Sequence, residues 1–93
     1  MNEMNLSKDF VVSNPLGIHA RPASVFVQTA SGFASDVSVT NLDTSSIADG
    51  KSVMSMLMLS APQGTRIRLD VSGEDAATAM EALSRLIEEG FNE

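Results

Sequence analysis

The 93-residue chain contains no cysteine, tryptophan or tyrosine and only four phenylalanines. Without cysteine there are no disulfides, no thiolate zinc sites and no cysteine nucleophile, which fits a reducing compartment. Without Trp and Tyr the usual stacking platforms for single-stranded nucleic acid are missing. Positive charge is scarce: six Lys and Arg stand against twelve Asp and Glu, a formal net charge of −6. Nucleic-acid binding and attachment to anionic membranes both draw on basic side chains, so the composition argues against both. The longest unbroken apolar run, Met56–Leu59, is far too short to span a bilayer. The opening Met1-Asn2-Glu3-Met4-Asn5 has neither a basic start nor an apolar stretch, so no signal peptide is expected and the expected location is the cytoplasm.

What is present suffices for one domain over residues 1–93, with 43% hydrophobic residues to build its core. Phe10-Val11-Val12 is a β-prone run ended by the turn cluster Ser13-Asn14-Pro15. Ala23, Phe26, Val27 and Ala30 fall on one helical face, and Gly32 is expected to end that helix in the left-handed conformation, with Phe33 in apolar contact. Val37 and Val39 alternate with polar neighbours and predict a half-buried strand; Ile47-Ala48 predicts a short edge strand. Ser52 is the natural N-cap of a short helix through Leu59, which Ala61-Pro62-Gln63-Gly64 breaks. Ile67, Leu69 and Val71 alternate with Arg66, Arg68 and Asp70 in the clearest strand of the chain. Ser72, with Asp75 three residues on, is expected to open the last helix, whose buried face is Ala76, Ala79, Met80, Leu83, Leu86 and Ile87 and whose stop is Gly90. The order βαββαβα predicts an α+β domain, a four-stranded antiparallel sheet with three helices on one face.

One constellation carries chemistry. The single histidine, His19, lies in Gly17-Ile18-His19-Ala20-Arg21-Pro22-Ala23, just ahead of the first helix, and Pro22 is tolerated there because first-turn amides have no intrahelical acceptor. Unpaired amides and the positive end of the helix dipole make such a place an anion site. Arg21 adds a permanent charge with forked donors suited to phosphate. Gly17 lets the chain turn tightly on entry, and Gly17, Ala20 and Arg21 are the candidate phosphate-binding residues. An imidazole that is neutral for much of its population near neutral pH can attack a phosphoryl group and later release it. His19 and Arg21 are therefore the candidate catalytic pair. The same position also suits a histidine that merely caps the helix, and spacing alone does not choose between the two. One histidine without cysteine cannot build a metal site of the usual kind, and Ser24 has no orienting acid nearby for a triad, so neither a metal nor a cofactor is expected.

The segment Gly17–Ala23 resembles the active-site signature of HPr, the histidine phosphocarrier family of the bacterial phosphotransferase system. Val27–Ser31, Lys51-Ser52-Val53-Met54, Gln63-Gly64-Thr65 and Val71–Asp75 extend the resemblance over roughly Phe10–Phe91. It implies a carrier rather than a free-standing enzyme. His19 would take a phosphoryl group on Nδ1 from enzyme I and pass it to an enzyme IIA domain, and Arg21 would stabilise the moving group. Ser52 would be the target of a regulatory serine kinase, although a helix cap alone also accounts for it. Val53, Met54, Met56, Leu57, Met58 and Leu59 are apolar on nearly every side, more than a short helix needs for a core stripe. Val53, Met54 and Leu57 are the candidate docking patch for partners; the alternative is that all six are core. Leu16-Gly17, Met56–Leu59 and Gly90-Phe91 resemble NPr, the nitrogen-branch relative, whereas Val27–Ser31 resembles the Gram-positive sugar branch. The sequence leaves open both branches, with a transcriptional regulator as a further partner in the regulatory reading.

Overall fold

Side chains of Arg66 to Gly73 alternate between exposed and buried, with Ile67, Leu69 and Val71 inward and Arg66 and Arg68 outward, so this strand has one face covered and one open. It is β4 of a computed structural model that describes residues 4–92. The elements run β1 (Met4–Val11), α1 (Ala20–Ser31), β2 (Asp36–Asn41), β3 (Ser46–Asp49), α2 (Val53–Met58), β4 (Arg66–Gly73) and α3 (Ala76–Glu88), followed by a 3₁₀ turn, Gly90–Asn92. The four strands form one sheet in the order β1-β4-β2-β3, and every neighbouring pair is antiparallel. The three helices cover one face, and between them and the sheet lies a single core that includes Phe26, Leu69, Leu83 and Phe91. The predicted α+β architecture and element order are the observed ones.

Three local expectations are corrected. The first strand begins at Met4 rather than Phe10. All eight of its residues pair with β4, but it is an edge strand whose inward side chains Leu6 and Phe10 are only half-buried. Lys8, on the same side, lies over the Phe10 ring and reaches Glu88 of α3. Gly32 does not take the left-handed conformation: it sits at φ −77°, and α1 ends as the Gly32 amide donates to Thr29 O and the Phe33 amide to Ala30 O. The Lys51 ammonium then donates to the Phe33 carbonyl at 2.8 Å, placing positive charge near the negative end of the helix. Phe33 does pack against the core as expected.

The third correction concerns the start of α3. Ser72 does not cap it, because its backbone is held in the sheet opposite Asn5 and Asp36. The strand continues to Gly73, whose missing side chain leaves room for Ser35: a Cβ there would stand 2.6 Å from the Ser35 hydroxyl. Asp75 occupies the N-cap position but makes no capping bond to its own helix. Its carboxylate instead accepts from the Ala34 and Ser35 amides, both at 2.9 Å, and from the Ser35 hydroxyl. This clamps the entrance of β2 to the entrance of α3.

Those donors hold the Asp75 carboxyl below its ordinary range, the Ser35 hydroxyl contributing most and the Ala34 amide next. A carboxyl depressed on folding stabilises the native state above its unfolded pKa and loses that contribution as pH falls through the folded one. Asp75→Asn should therefore lower the melting temperature at neutral pH, and the gap to the parent chain should close in strong acid. A gap that stays constant from neutral to strongly acid pH would contradict this role.

Candidate functional site

The segment between β1 and α1 has little regular structure, so other backbone must hold it. The partner is the segment between α2 and β4. The Val12 amide donates to Thr65 O at 2.9 Å, the Gly64 amide to Val12 O at 2.8 Å and the Ile18 amide to Ala61 O at 2.9 Å. The Gln63 side chain adds a bond to Ser13 O at 3.0 Å. Between these stitches the chain reverses at Asn14-Pro15-Leu16-Gly17, closed by the Gly17 amide on Asn14 O at 3.0 Å. Gly17 has φ +68°, and a Cβ on it would stand 2.4 Å from Ala61 O and 2.6 Å from Pro62 Cα. Glycine is required here for two reasons, a left-handed backbone and a close approach of two loops.

This reversal delivers His19 to the N-cap of α1. Its backbone is extended at φ −103° and ψ −164°, its carbonyl accepts from the Ala23 amide at 3.0 Å, and its amide donates to Gly17 O at 3.2 Å. The half-buried ring makes no capping hydrogen bond to the helix. The capping role that the sequence left open is therefore not the one the imidazole performs. Ala20 and Arg21, both exposed, supply the first-turn N–H donors, and Pro22 has none to give. No acidic residue stands in that first turn to compete for the positive end of the helix. Gly17, His19, Ala20 and Arg21 are thus brought together, but Gly17 donates its amide to Asn14, so its part is to shape the turn and the candidate anion donors are the amides of Ala20 and Arg21.

The second group lies on α2. Ser52 is its N-cap, with the hydroxyl accepting from the Ser55 amide at 3.2 Å. Of the apolar residues, Met56 and Leu59 enter the core and Val53 is half-buried against it, while Met54 (68%), Leu57 (37%) and Met58 (72%) are exposed. The all-core alternative is thereby removed. Two exposed residues were not singled out from the sequence for such a patch. Met58 is one helical turn on from Met54, a spacing that could have revealed it. Leu16, 75% exposed, lies at the tip of the turn before His19, where with Ile18, Ser60, Ala61 and Pro62 it lines a shallow depression. The C-terminal end of α2 therefore abuts the histidine loop, and Ser52 stands at the other end of a helix about 9 Å long. Among the described residues no cluster of three or more His, Cys, Asp or Glu could hold a metal ion, and no helix is long and apolar enough to cross a membrane.

Comparison with known proteins agrees over nearly the whole chain. The family model described as "PTS HPr component phosphorylation site" matches residues 6–89. Phosphocarrier protein HPr of Neisseria meningitidis serogroup B is 47% identical over 88 residues, covering 95% of this chain and 97% of that protein. A multiphosphoryl transfer protein of Salmonella typhimurium is 43% identical over 89 residues, covering 95% of this chain but 24% of that longer protein. The crystal structure of HPr-C-His from Thermoanaerobacter tengcongensis superposes with a TM-score of 0.87 at 38% identity, covering 95% of this chain and 97% of that one.

Gly17→Ala should lower the unfolding free energy by about 2 kcal/mol or more, since it adds a steric collision to positive-φ strain. Gly64, at φ +92°, has nothing within 4 Å of a built Cβ. Gly64→Ala therefore carries the backbone strain alone and should cost measurably less in the same denaturant titration. Equal losses would show that the approach to Ala61 and Pro62 is not tight.

Proposed function

This chain belongs to the HPr family of phosphocarriers of the phosphotransferase system, and we propose that it carries the phosphoryl group on His19 in the cytoplasm, between enzyme I and an enzyme IIA domain. The observation that carries the reading is the placement of an imidazole at the N-cap of α1 without a capping bond, beside the amides of Ala20 and Arg21. The Nδ1 lone pair attacks the phosphorus of the phosphohistidine on enzyme I. The new N–P bond forms as the donor's N–P bond breaks, and the donor imidazole leaves with that electron pair. The attacking ring needs its proton on Nε2. Three phosphoryl oxygens then lie near two backbone donors and the Arg21 guanidinium, an arrangement that favours negative charge without neutralising it covalently. Passing the group to enzyme IIA is the same displacement in the opposite role, so the chain is a carrier that ends each cycle unchanged.

Met54 and Leu57, with Val53 beneath them, form the apolar ground on which partners dock, and exposed Met58 and Leu16 extend it. Methionine suits a surface that must fit both a donor and several acceptors in turn. Ser52 is the regulatory position for a serine kinase. A phosphate there adds about −1.5 to −2 charge at a helix N-terminus, which the helix accepts, while an acidic partner surface is repelled. The exposed Leu16 and the methionine-rich α2 favour a second reading, in which the chain serves the nitrogen branch and its phosphorylation state governs binding to a regulator. Comparing phosphorylation rates with sugar-branch and nitrogen-branch enzyme I separates the two.

With phosphoenolpyruvate and enzyme I, intact mass spectrometry in alkaline solution should show a gain of one phosphate that His19→Ala abolishes. A gain that survives His19→Ala would overturn the assignment. Arg21→Ala should slow transfer by roughly 10²-fold, while its melting temperature stays close to that of the parent because the side chain is exposed. Parallel losses of rate and stability would instead assign Arg21 to the fold.

A further inference from the structure

Asn14 is the one polar side chain of the loop before His19 that is buried, at 5% exposure. Its Nδ2 donates to the Gly17 carbonyl, and its own carbonyl accepts the Gly17 amide at 3.0 Å. Its Oδ1 is buried and has no hydrogen-bond partner among the described residues. For stability alone this is a poor choice of side chain. An apolar residue of similar volume would fill the same space without a desolvated oxygen. The Gly17 contact supplies another reason for it. The Gly17 carbonyl has two lone pairs, and its two donors are Asn14 Nδ2 and the His19 amide, the latter at 3.2 Å. Gly17 lies in a part of conformational space where glycine offers little intrinsic resistance to rotation of its peptide. The carboxamide grips that peptide from one side, and the histidine backbone hangs on it from the other.

We propose that Asn14 is a positioning residue for phosphoryl transfer: by fixing the Gly17 carbonyl it sets the orientation of the His19 backbone, and thus where the imidazole nitrogen meets the incoming phosphorus. The inference rests on the phosphocarrier reading of His19 and assigns a residue outside Gly17–Ala23 to the same site. Near-attack geometry is sensitive to small displacements, so the loss falls on the chemical step and not on partner docking, which uses other side chains.

Two variants test it, each assayed with phosphorylated enzyme I as the donor. Asn14→Leu keeps the volume and removes the donor. It should hold or raise the melting temperature, leave KM for the donor protein unchanged and lower kcat by roughly tenfold. Asn14→Asp sets two oxygens against each other at neutral pH and should lose at least as much. As pH falls its carboxyl takes a proton and can donate to the Gly17 carbonyl again, so its kcat relative to the parent chain should rise toward one. Normalising to the parent removes any pH dependence that the two chains share. Parental kcat in both variants, a loss confined to KM, or an Asn14→Asp ratio that does not change with pH would overturn the proposal. So would a kcat loss that disappears on cooling in step with recovered folding. A parent chain that accepts no phosphoryl group would sink the phosphocarrier reading instead. The positioning claim is then still read from hydrogen exchange at the His19 amide, which should be faster in Asn14→Leu, and an unchanged rate would refute it.

Discussion

The amide of Ile18 donates to the carbonyl of Ala61, and with that bond the backbone ahead of His19 is tied to the segment leaving α2. Each bond of this kind contributes only about 1 kcal/mol, yet the stitches act together. Val12 is held by Thr65 and Gly64, and Ile18 by Ala61, so the turn between them has both ends fixed. Gly17 can then approach Ala61 and Pro62 more closely than any side chain would allow. Because Ala61 follows directly from α2, one constraint sets both the histidine and the apolar surface beside it. The proposed phosphocarrier role needs that coupling, since a partner covering this surface must also align a phosphorus atom with one ring nitrogen.

Charge is arranged to the same end. Five of the six cations lie away from His19. Lys8 pairs with Glu88, Arg66 with Asp43, Arg68 with Asp9 and Arg85 with Glu81, while Lys51 caps the opposite end of α1. Arg68 holds the Asp9 carboxyl below its ordinary range through their hydrogen bond, as expected of a close exposed pair. The sixth, Arg21, lies two residues after His19 in a chain of net charge −6. On the proposed reading, the site would rely on fixed backbone dipoles and one guanidinium to hold a phosphoryl group that it must also release.

Much of this was legible in the sequence because the decisive signals are local. Glycine, histidine, arginine and proline at close spacing mark a turn and a helix start within seven residues, and make that helix start a candidate anion site. The alternation of Ile67, Leu69 and Val71 marks a strand covered on one side. The failures arise where tertiary contacts outbid local rules. Ser72-Gly73-Glu74-Asp75 imitates a capping box, but the sheet takes Ser72 and the Ala34–Ser35 backbone takes the Asp75 carboxylate. Half-buried Leu6 and Phe10, with a lysine between them, give an edge strand too weak a pattern to read beyond its last residues. Asn14 reads as an ordinary turn residue, and only the fold shows it turned inward. Asn41 is similar. It is fully buried, donates to Leu59 and Ser60 and accepts from the Asp43 and Thr44 amides, so one carboxamide joins the β2–β3 turn to the exit of α2.

The central claim is that first-turn amides of α1, with Arg21, receive the phosphoryl group on His19. Backbone amide resonances of isotope-labelled protein, followed through phosphorylation, test it most directly. The account predicts that the Ala20 and Arg21 amide protons move downfield and exchange more slowly while the phosphate is in place, and that both return when it is passed on. Phosphorylation of His19 that leaves these two amides unshifted and exchanging at their original rates would contradict it.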